Sequence, residues 1–362
     1  MLVQNKKHTS SKCVDNWTFH LNSAFASDDE SEKDTEHGLD STLDIVRIAH
    51  ANYKYMSEQL EYVRSSLCVD SLDLQSDVVR AVLEPHMMKA REKRLEVMIE
   101  YEPHMTLIRH SMHDLQSQAY IPFDISLFPI REVFNECLFH DKYYDLEQFH
   151  THFSNDMGNR KSRQEKLSVF TPLLDNDRRS EFHDLYEEFV LSVILEDAAA
   201  NAHPSVTSFY YQSFPCVRCV RPQEFSIGIH CDMAYGFNAA NVNYYIPLTR
   251  IYDTNSLHVE SAVGEEDWHT VTTEYGSLFR FAGAVNAHFT VMNSSEITRF
   301  SLDFRVIPSN CFNICKDRYS NEAGYYVQAT RDESGKFRRV GKRPEVDARN
   351  GFPFTDVSKR KS

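Results

Sequence analysis

Residues Ser226–Phe237 read SIGIHCDMAYGF. A histidine and an aspartate stand two positions apart, preceded by Ile227 and Ile229 and followed by Tyr235-Gly236-Phe237. In extended chain His230 and Asp232 leave the same face about 7 Å apart. That is close enough for a neutral imidazole nitrogen and a hard carboxylate oxygen to share one divalent ion. The same spacing also arises by accident, so the surrounding chain has to decide.

What surrounds the pair is β-rich. From Ser205 to Pro308 short runs of branched and aromatic residues alternate with turn formers: SVTSFYYQSF, CVRCV, FSIGIHCD, VNYYIPL, SLHVES, WHTVTTEY, SLFRFAG, HFTVMN and TRFSLDFRVI. Closely spaced short strands of this kind predict an antiparallel barrel or sandwich.

A third ligand has to come from a distant strand. His258 lies in NSLHVES and His269 in DWHTV, whereas His288 follows a strand and turn, YGSLFRFAGAVNAH, and precedes Arg299 by eleven residues. Two histidines and a carboxylate fill three positions of an octahedron and leave three open, the arrangement of non-haem Fe(II) oxygenases. Arg299 offers a planar donor fork for a carboxylate, and Ser301 a hydroxyl on the same strand face. Each has a plainer reading alone, His288 as a hydrogen-bonded histidine and Arg299 as a surface ion-pair residue. Order, spacing and strand context together favour a metal site at His230, Asp232 and His288. Arg305 shares the parity of Arg299, but six residues of strand set the two about 20 Å apart. Arg299 is the better co-substrate ligand because of its spacing from His288 and because Ser301 follows it. Asp303 and Arg305 are expected to close a local ion pair or reach toward the barrel end.

The 362-residue chain is 41% hydrophobic and 12% aromatic, enough for a packed core, and its net charge of −14 argues against a nucleic-acid-binding surface over the whole protein. No run approaches the ~20 apolar residues that span a bilayer. The N-terminal MLVQNKKHTSSKCVDNW lacks the apolar stretch of a secretory signal. Eight scattered cysteines suit reduced thiols in the cytoplasm. A zinc site built from Cys216-x-x-Cys219 and Cys311-x-x-x-Cys315 is disfavoured, since residues three apart on a strand face opposite ways.

Residues 1–40, ending in SDDESEKDTEHGLD, predict a solvated tail. Residues 41–120 read as helical. The first stripe is Leu43, Val46, Ala49, Tyr53, Met56, Leu60 and Val63 behind a Ser41 or Thr42 cap. A second helix, Leu72 to Leu83, ends before Pro85, and a third runs from Met87 to Ile99. They form either an added layer on the core or an arm for a partner. Residues 121–310 hold the β-rich core and a supporting helix, RRSEFHDLYEEFVLSVILEDAAANA, with Phe182, Leu185, Phe189, Val193 and Ile194 on one stripe. Residues 311–362 are a C-terminal extension, basic and expected to be mobile at its end.

Four pieces, HCDMAYGF, NVNYYIPLTRIYDTNSLHVES, YGSLFRFAGAVNAH and TRFSLDFRVIP, resemble the Fe(II)/2-oxoglutarate-dependent oxygenase superfamily, and within it the streptomycin-biosynthesis-type oxygenase group. The second piece is more telling than the triad. The resemblance runs from about Phe209 to Pro308 and leaves out the N-terminal helices. It implies an α+β chain around a double-stranded β-helix, a cupin-like jelly roll with the metal at its mouth. It implies iron on His230, Asp232 and His288, and the distal carboxylate of 2-oxoglutarate on Arg299 and Ser301. Asn243 would touch the co-substrate, or else serve as a structural hydrogen-bonder. Phe209 and Tyr211 would line the cavity, or else pack in the core. Asp232 fills the place that iron halogenases of the superfamily leave for chloride. The implied reaction takes up O2 and 2-oxoglutarate, releases succinate and CO2, and hydroxylates a C–H bond of a small molecule.

The substrate rim is expected at Tyr235, Phe237, Tyr211 and Trp268. Glu260, Glu265, Glu266 and Asp267 in ESAVGEEDW would favour a cationic amino acid or amino sugar, unless they form a solvated turn. Two alternatives use the same barrel. One is a cupin-like metal protein with non-oxidative chemistry, which needs no Arg299. The other is a binding or scaffold protein whose working surface is the N-terminal helices.

Overall fold

A computed structural model describes residues 73–139, 143–152, 176–224, 226–314 and 324–343. The expected tail at 1–40, the stripe Leu43–Val63, three cysteines (Cys13, Cys68 and Cys315) and the basic end SKRKS lie outside the described residues.

Among the described residues the strands are β1 (Ala119–Pro122), β2 (Ser208–Gln212), β3 (Cys216–Val220), β4 (Val242–Pro247), β5 (His258–Val259), β6 (His269–Thr270), β7 (Ser277–Phe281), β8 (His288–Phe289), β9 (Arg299–Pro308), β10 (Tyr326–Arg331) and β11 (Phe337–Arg339). The larger sheet runs β1-β7-β4-β9-β2-β10-β11 with β3 also on β9, and the smaller runs β6-β5-β8. The pairings are antiparallel. Every β-rich run of the sequence contains one of these strands except FSIGIHCD. There His230 makes only a backbone bridge to His288. Asp232 opens a 3-10 turn, Asp232–Tyr235, closed by Gly236 at φ 85°, a conformation that glycine adopts without strain.

All ten residues of β9 are buried, because both faces of the sheet are covered. Arg299, Ser301, Asp303 and Arg305 point to one face, and Phe300, Leu302, Phe304 and Val306 to the other. The apolar face meets a helical layer. Among the described residues the helices are α1 (Asp77–Glu100), α2 (Glu102–Met112), α3 (Ile130–Phe139), α4 (Phe149–His152), α5 (Asn176–Phe189), α6 (Leu195–Asn201) and α7 (Ser309–Phe312), and α3, α4 and α5 set aromatic rings against this face of β9. Phe134, Phe149 and Tyr186 set their rings edge-on to Phe300, Phe300 and Phe304 at 5.8, 5.1 and 5.2 Å, the geometry aromatic pairs prefer. The supporting helix is interrupted by a π turn, Val190–Ile194. This turn carries the stripe Phe182, Tyr186, Phe189 on to Ile194, Leu195 and Ala198, all fully buried.

The expected break at Pro85 does not occur: α1 runs through it as a single helix, capped at its start by Ser76. A proline inside a helix loses one backbone hydrogen bond. The stripe Val79, Val82, Leu83, Met87 continues across it and packs, with Leu74, on Trp268, Phe289 and Val291. That tertiary burial outweighs local propensity. Helix α1 is therefore a layer on the core, covering the outer face of the smaller sheet. The inner face looks across at the larger sheet, where Val259 joins Tyr245, Phe279 and Phe281 in one apolar cluster.

Two strands were not expected of the C-terminal extension. Tyr326–Arg331 adds to β2 and Phe337–Arg339 to β10, so this part of it belongs to the larger sheet. Cys216 and Cys219 sit opposite Asp303 and Phe300, hence on opposite faces of β3. Among the described residues no helix is long and apolar enough to cross a membrane.

Candidate metal centre

His230, Asp232 and His288 come together, buried, with their ligand atoms all within 4.8 Å of one another; among the described residues they are the one such group. The backbone brings them there. His230 and His288 exchange N–H···O bonds of 3.1 and 2.8 Å, and the Asp232 amide donates to Gly283 O at 2.9 Å. Each imidazole is oriented by its own loop: His230 Nδ1 bonds Gly228 O at 2.6 Å and His288 Nδ1 bonds Asn286 O at 3.0 Å. A carbonyl only accepts, so each Nδ1 carries the hydrogen and each Nε2 offers a lone pair. Both Nε2 atoms face Asp232 Oδ1, at 3.4 and 3.7 Å.

The second carboxylate oxygen is held from behind. Asp232 Oδ2 accepts from Asn243 Nδ2 at 2.8 Å and from Arg305 Nε and Nη2 at 2.9 and 2.8 Å. Burial alone would raise the Asp232 carboxyl, but the Arg305 charge holds it well below the usual carboxylate range. Burial, followed by the neighbouring His230, pushes His288 down to about 3, so it is a neutral imidazole. Two imidazole nitrogens and one anionic oxygen with fixed outer partners make a donor set suited to a divalent transition metal.

Arg305 thus corrects the expected local pair with Asp303. Asp303 is taken by Arg218, at 2.6 Å, while the Arg305 guanidinium lies 4.0 Å above the Phe237 ring and reaches Gln212 Oε1 at 3.3 Å. Phe237 is therefore buried beneath Arg305, away from any rim. Asn243 gives its amide to Asp232. Tyr235 remains half-buried beside the centre, its ring 5.0 Å from His230.

On the same sheet face Arg299 Nη1 donates to Asn255 O at 3.0 Å. Arg299 Nε, Ser301 Oγ and Tyr245 OH are buried with no hydrogen-bond partner. Burial raises the Tyr245 phenol, and the Arg299 charge, followed by the adjacent Ser301 hydroxyl, opposes the rise. Tyr245 was missed in the sequence, although its parity with Asn243 was the available signal.

Three expected contributors lie elsewhere. Tyr211 pairs with Val306 and so faces the helices, where its hydroxyl donates to Glu187 at 2.7 Å; Phe209 shares that face and packs on Phe337. Trp268 is covered by α1, its ring edge-on to Phe289 at 5.1 Å. The acidic loop is partly neutralised. Fully buried Glu260 meets Arg94 at 2.6 Å, Glu266 meets Arg91, and Asp267 binds Ser261.

No family model matches the sequence. The streptomycin biosynthesis protein StrG of Streptomyces griseus is 35% identical over 108 residues, 30% of this chain and 51% of that protein. The chain thus matches about half the length of this curated relative. Solved structures similar to it are non-haem oxygenases and their relatives. The nickel complex of the non-heme monooxygenase ThoJ has a TM-score of 0.39 at 15% identity, covering 65% of this chain and 89% of that one. The alpha-ketoglutarate-dependent carbocyclase SnoK of nogalamycin biosynthesis has 0.32 at 10%, covering 56% and 83%. The epimerase SnoN, with Fe3+, alpha-ketoglutarate and nogalamycin RO, has 0.27 at 12%, covering 60% and 85%.

Proposed function

We propose that this chain is an Fe(II)- and 2-oxoglutarate-dependent oxygenase that hydroxylates a C–H bond of a small molecule on a double-stranded β-helix. One observation carries the reading. The face of β9 and β4 that supports the three facing ligand atoms also buries one guanidinium N–H, Arg299 Nε, and two hydroxyls, Ser301 Oγ and Tyr245 OH, that have no hydrogen-bond partner. Unmet buried polar groups are costly, and an anion that accepts from all three removes the cost.

In this reading His230 Nε2, His288 Nε2 and Asp232 Oδ1 hold the iron. Arg299, Ser301 and Tyr245 hold the distal carboxylate of 2-oxoglutarate. Asn243 and Arg305 keep Asp232 ionised and turned so that one oxygen faces the metal. When bound, iron and 2-oxoglutarate supply the oxidising power: one oxygen of O2 enters succinate, formed with CO2, and the other becomes the product hydroxyl. The chain's own part is to fix the ligands, neutralise the co-substrate charge and exclude water. Tyr235, beside His230, borders the substrate. The acids expected to select a cation are partly taken by Arg91 and Arg94, so the reading assigns the substrate no charge. Free thiols at Cys137, Cys216, Cys219, Cys231 and Cys311 support a reducing, cytoplasmic setting.

The test is co-substrate turnover. Protein loaded with Fe(II) without air and then given O2 and 2-oxoglutarate should form succinate. Arg299→Ala should weaken 2-oxoglutarate binding by about 30-fold or more, as loss of a buried charged donor does. A cupin-like protein with non-oxidative chemistry forms no succinate in either case, and a scaffold keeps partner binding after the metal is stripped. No succinate from fully metal-loaded protein across a panel of small-molecule substrates would sink the reading.

A further inference from the structure

The segment Ala282–His288 carries more of the metal centre than its one ligand. Gly283 O and Ala284 O accept from the backbone amides of Asp232 and Met233 at 2.9 and 3.1 Å, Asn286 O fixes the His288 ring, and His288 itself bridges to His230. All three ligands are thus referred to this one loop. Within the β-structure it is held by the pairing of His288 with Val259 and by the Glu260 amide on Ala287 O at 3.2 Å, and further support comes from outside it. Arg94 of α1 donates to Val285 O at 3.2 Å and to Glu260 Oε1 at 2.6 Å. Glu260 Oε1 also accepts from the Ala287 amide at 2.7 Å, and Oε2 from the amides of Gly264 and Glu266 at 2.9 and 3.3 Å. Arg94 is 8% exposed and Glu260 fully buried, so neither has water as a substitute partner. Arg91, three residues earlier, reaches the same acidic loop at Glu266 from a 40% exposed side chain but does not touch the segment.

We infer that Arg94 is a positioning residue for the metal centre: through Val285 O and Glu260 it holds Ala282–His288 in the place where His288 and Asp232 converge. This rests on the metal-site reading above and extends it to α1, which the family resemblance does not cover. A buried, charge-assisted hydrogen bond fixes a loop more tightly than apolar contact does, because it has a direction. Outer partners of this kind typically change metal affinity by 10–100-fold.

Titration of the metal-free protein with Co(II), followed by its visible absorption, tests this without turnover. Wild type should bind one ion, and His288→Ala should lose it; no binding by wild type would sink the metal-site reading itself. Arg94→Met should bind Co(II) about 10–100-fold more weakly with altered band positions, Arg94→Lys should recover part of the affinity, and Arg91→Met should match wild type. If Arg94→Met lowers only the melting temperature while affinity and spectrum stay those of wild type, the inference is wrong. It is equally wrong if Arg91→Met weakens binding as much as Arg94→Met, since the effect is then general docking of α1. Should Arg94→Met fail to fold, Arg94→Lys against Arg91→Met decides by the same measurements: an unchanged Arg94→Lys affinity overturns the inference, a reduced one supports it.

Discussion

A Cβ built on Gly283 would lie 2.6 Å from Asn243 Nδ2 and 2.8 Å from Phe281 Cε2, closer than carbon can sit. Gly283→Ala should therefore push the Asn243 amide off Asp232, at about 1–3 kcal/mol of stability, with weaker Co(II) binding; an unchanged affinity would show that Asn243 has room to move. Arg305→Met takes away the buried positive partner of Asp232, a loss of about 3–5 kcal/mol in comparable pairs. A bound ion replaces part of that charge, so the melting temperature of the variant should fall more without metal than with it. Equal falls in both states would contradict this account of the Asp232 environment. At this scale the sequence was legible where chemistry is scarce. Two histidines and an aspartate in order pointed to one place. Arg305 was misjudged because strand parity gives a face and no partner, and the residue it meets, Asp232, sits on a turn that extended-chain reasoning does not describe.

Helix α1 buries Val79, Val82, Leu83 and Met87 on the smaller sheet. Leu83→Ala should cost about 2–5 kcal/mol and, by loosening α1 above the metal loop, increase hydrogen exchange at Ala287 and His288. Protection that persists there while global stability falls would separate the helix from the loop. Removing β10 and β11 would leave β2 as an open sheet edge, which templates association; light scattering of a chain ended at Asn313 should show aggregates where the full chain stays dispersed. The β-rich runs were readable from composition because branched and aromatic clusters between turn formers have few other solutions. The faces were less so. Tyr211 and Tyr245 are both aromatics in short buried strands, yet one meets a helix and the other the space between sheets. Alternation does not distinguish two buried faces. The unbroken α1 escaped because the propensity of Pro85 is local and the packing that overrides it is not.

For the molecule as a whole, half-buried His86 and buried His258 set an acid limit. Burial, then the Lys89 charge, lowers His86 from 6.5 to about 4; burial, then the Arg299 charge, lowers His258 from 6.5 to about 3. Both are neutral in the fold and take up protons when it opens. The unfolded chain therefore binds more protons below about pH 6.5, and stability is lost as pH falls from there toward 4, at up to about 1.4 kcal/mol per unit for each group. Denaturant midpoints measured across that range should drop, and His258→Phe should flatten the slope; an unchanged slope would assign the loss to other groups. Glu187 acts at lower pH. Burial would raise it, but Arg343, Arg339 and Tyr211 hold it below its ordinary value. Its contribution is complete above about pH 4.5 and disappears as acid protonates it, so the tie of β11 to α5 through the Arg339–Glu187 pair should weaken only below about pH 4.5, read as protease sensitivity of β11. Meanwhile His230 and His288 each take their orientation from the carbonyl two positions earlier. No remote side chain chooses their tautomer, so the walls around them can be redrawn by substitution, for a different guest, while both rings keep the bearing the main chain gave them.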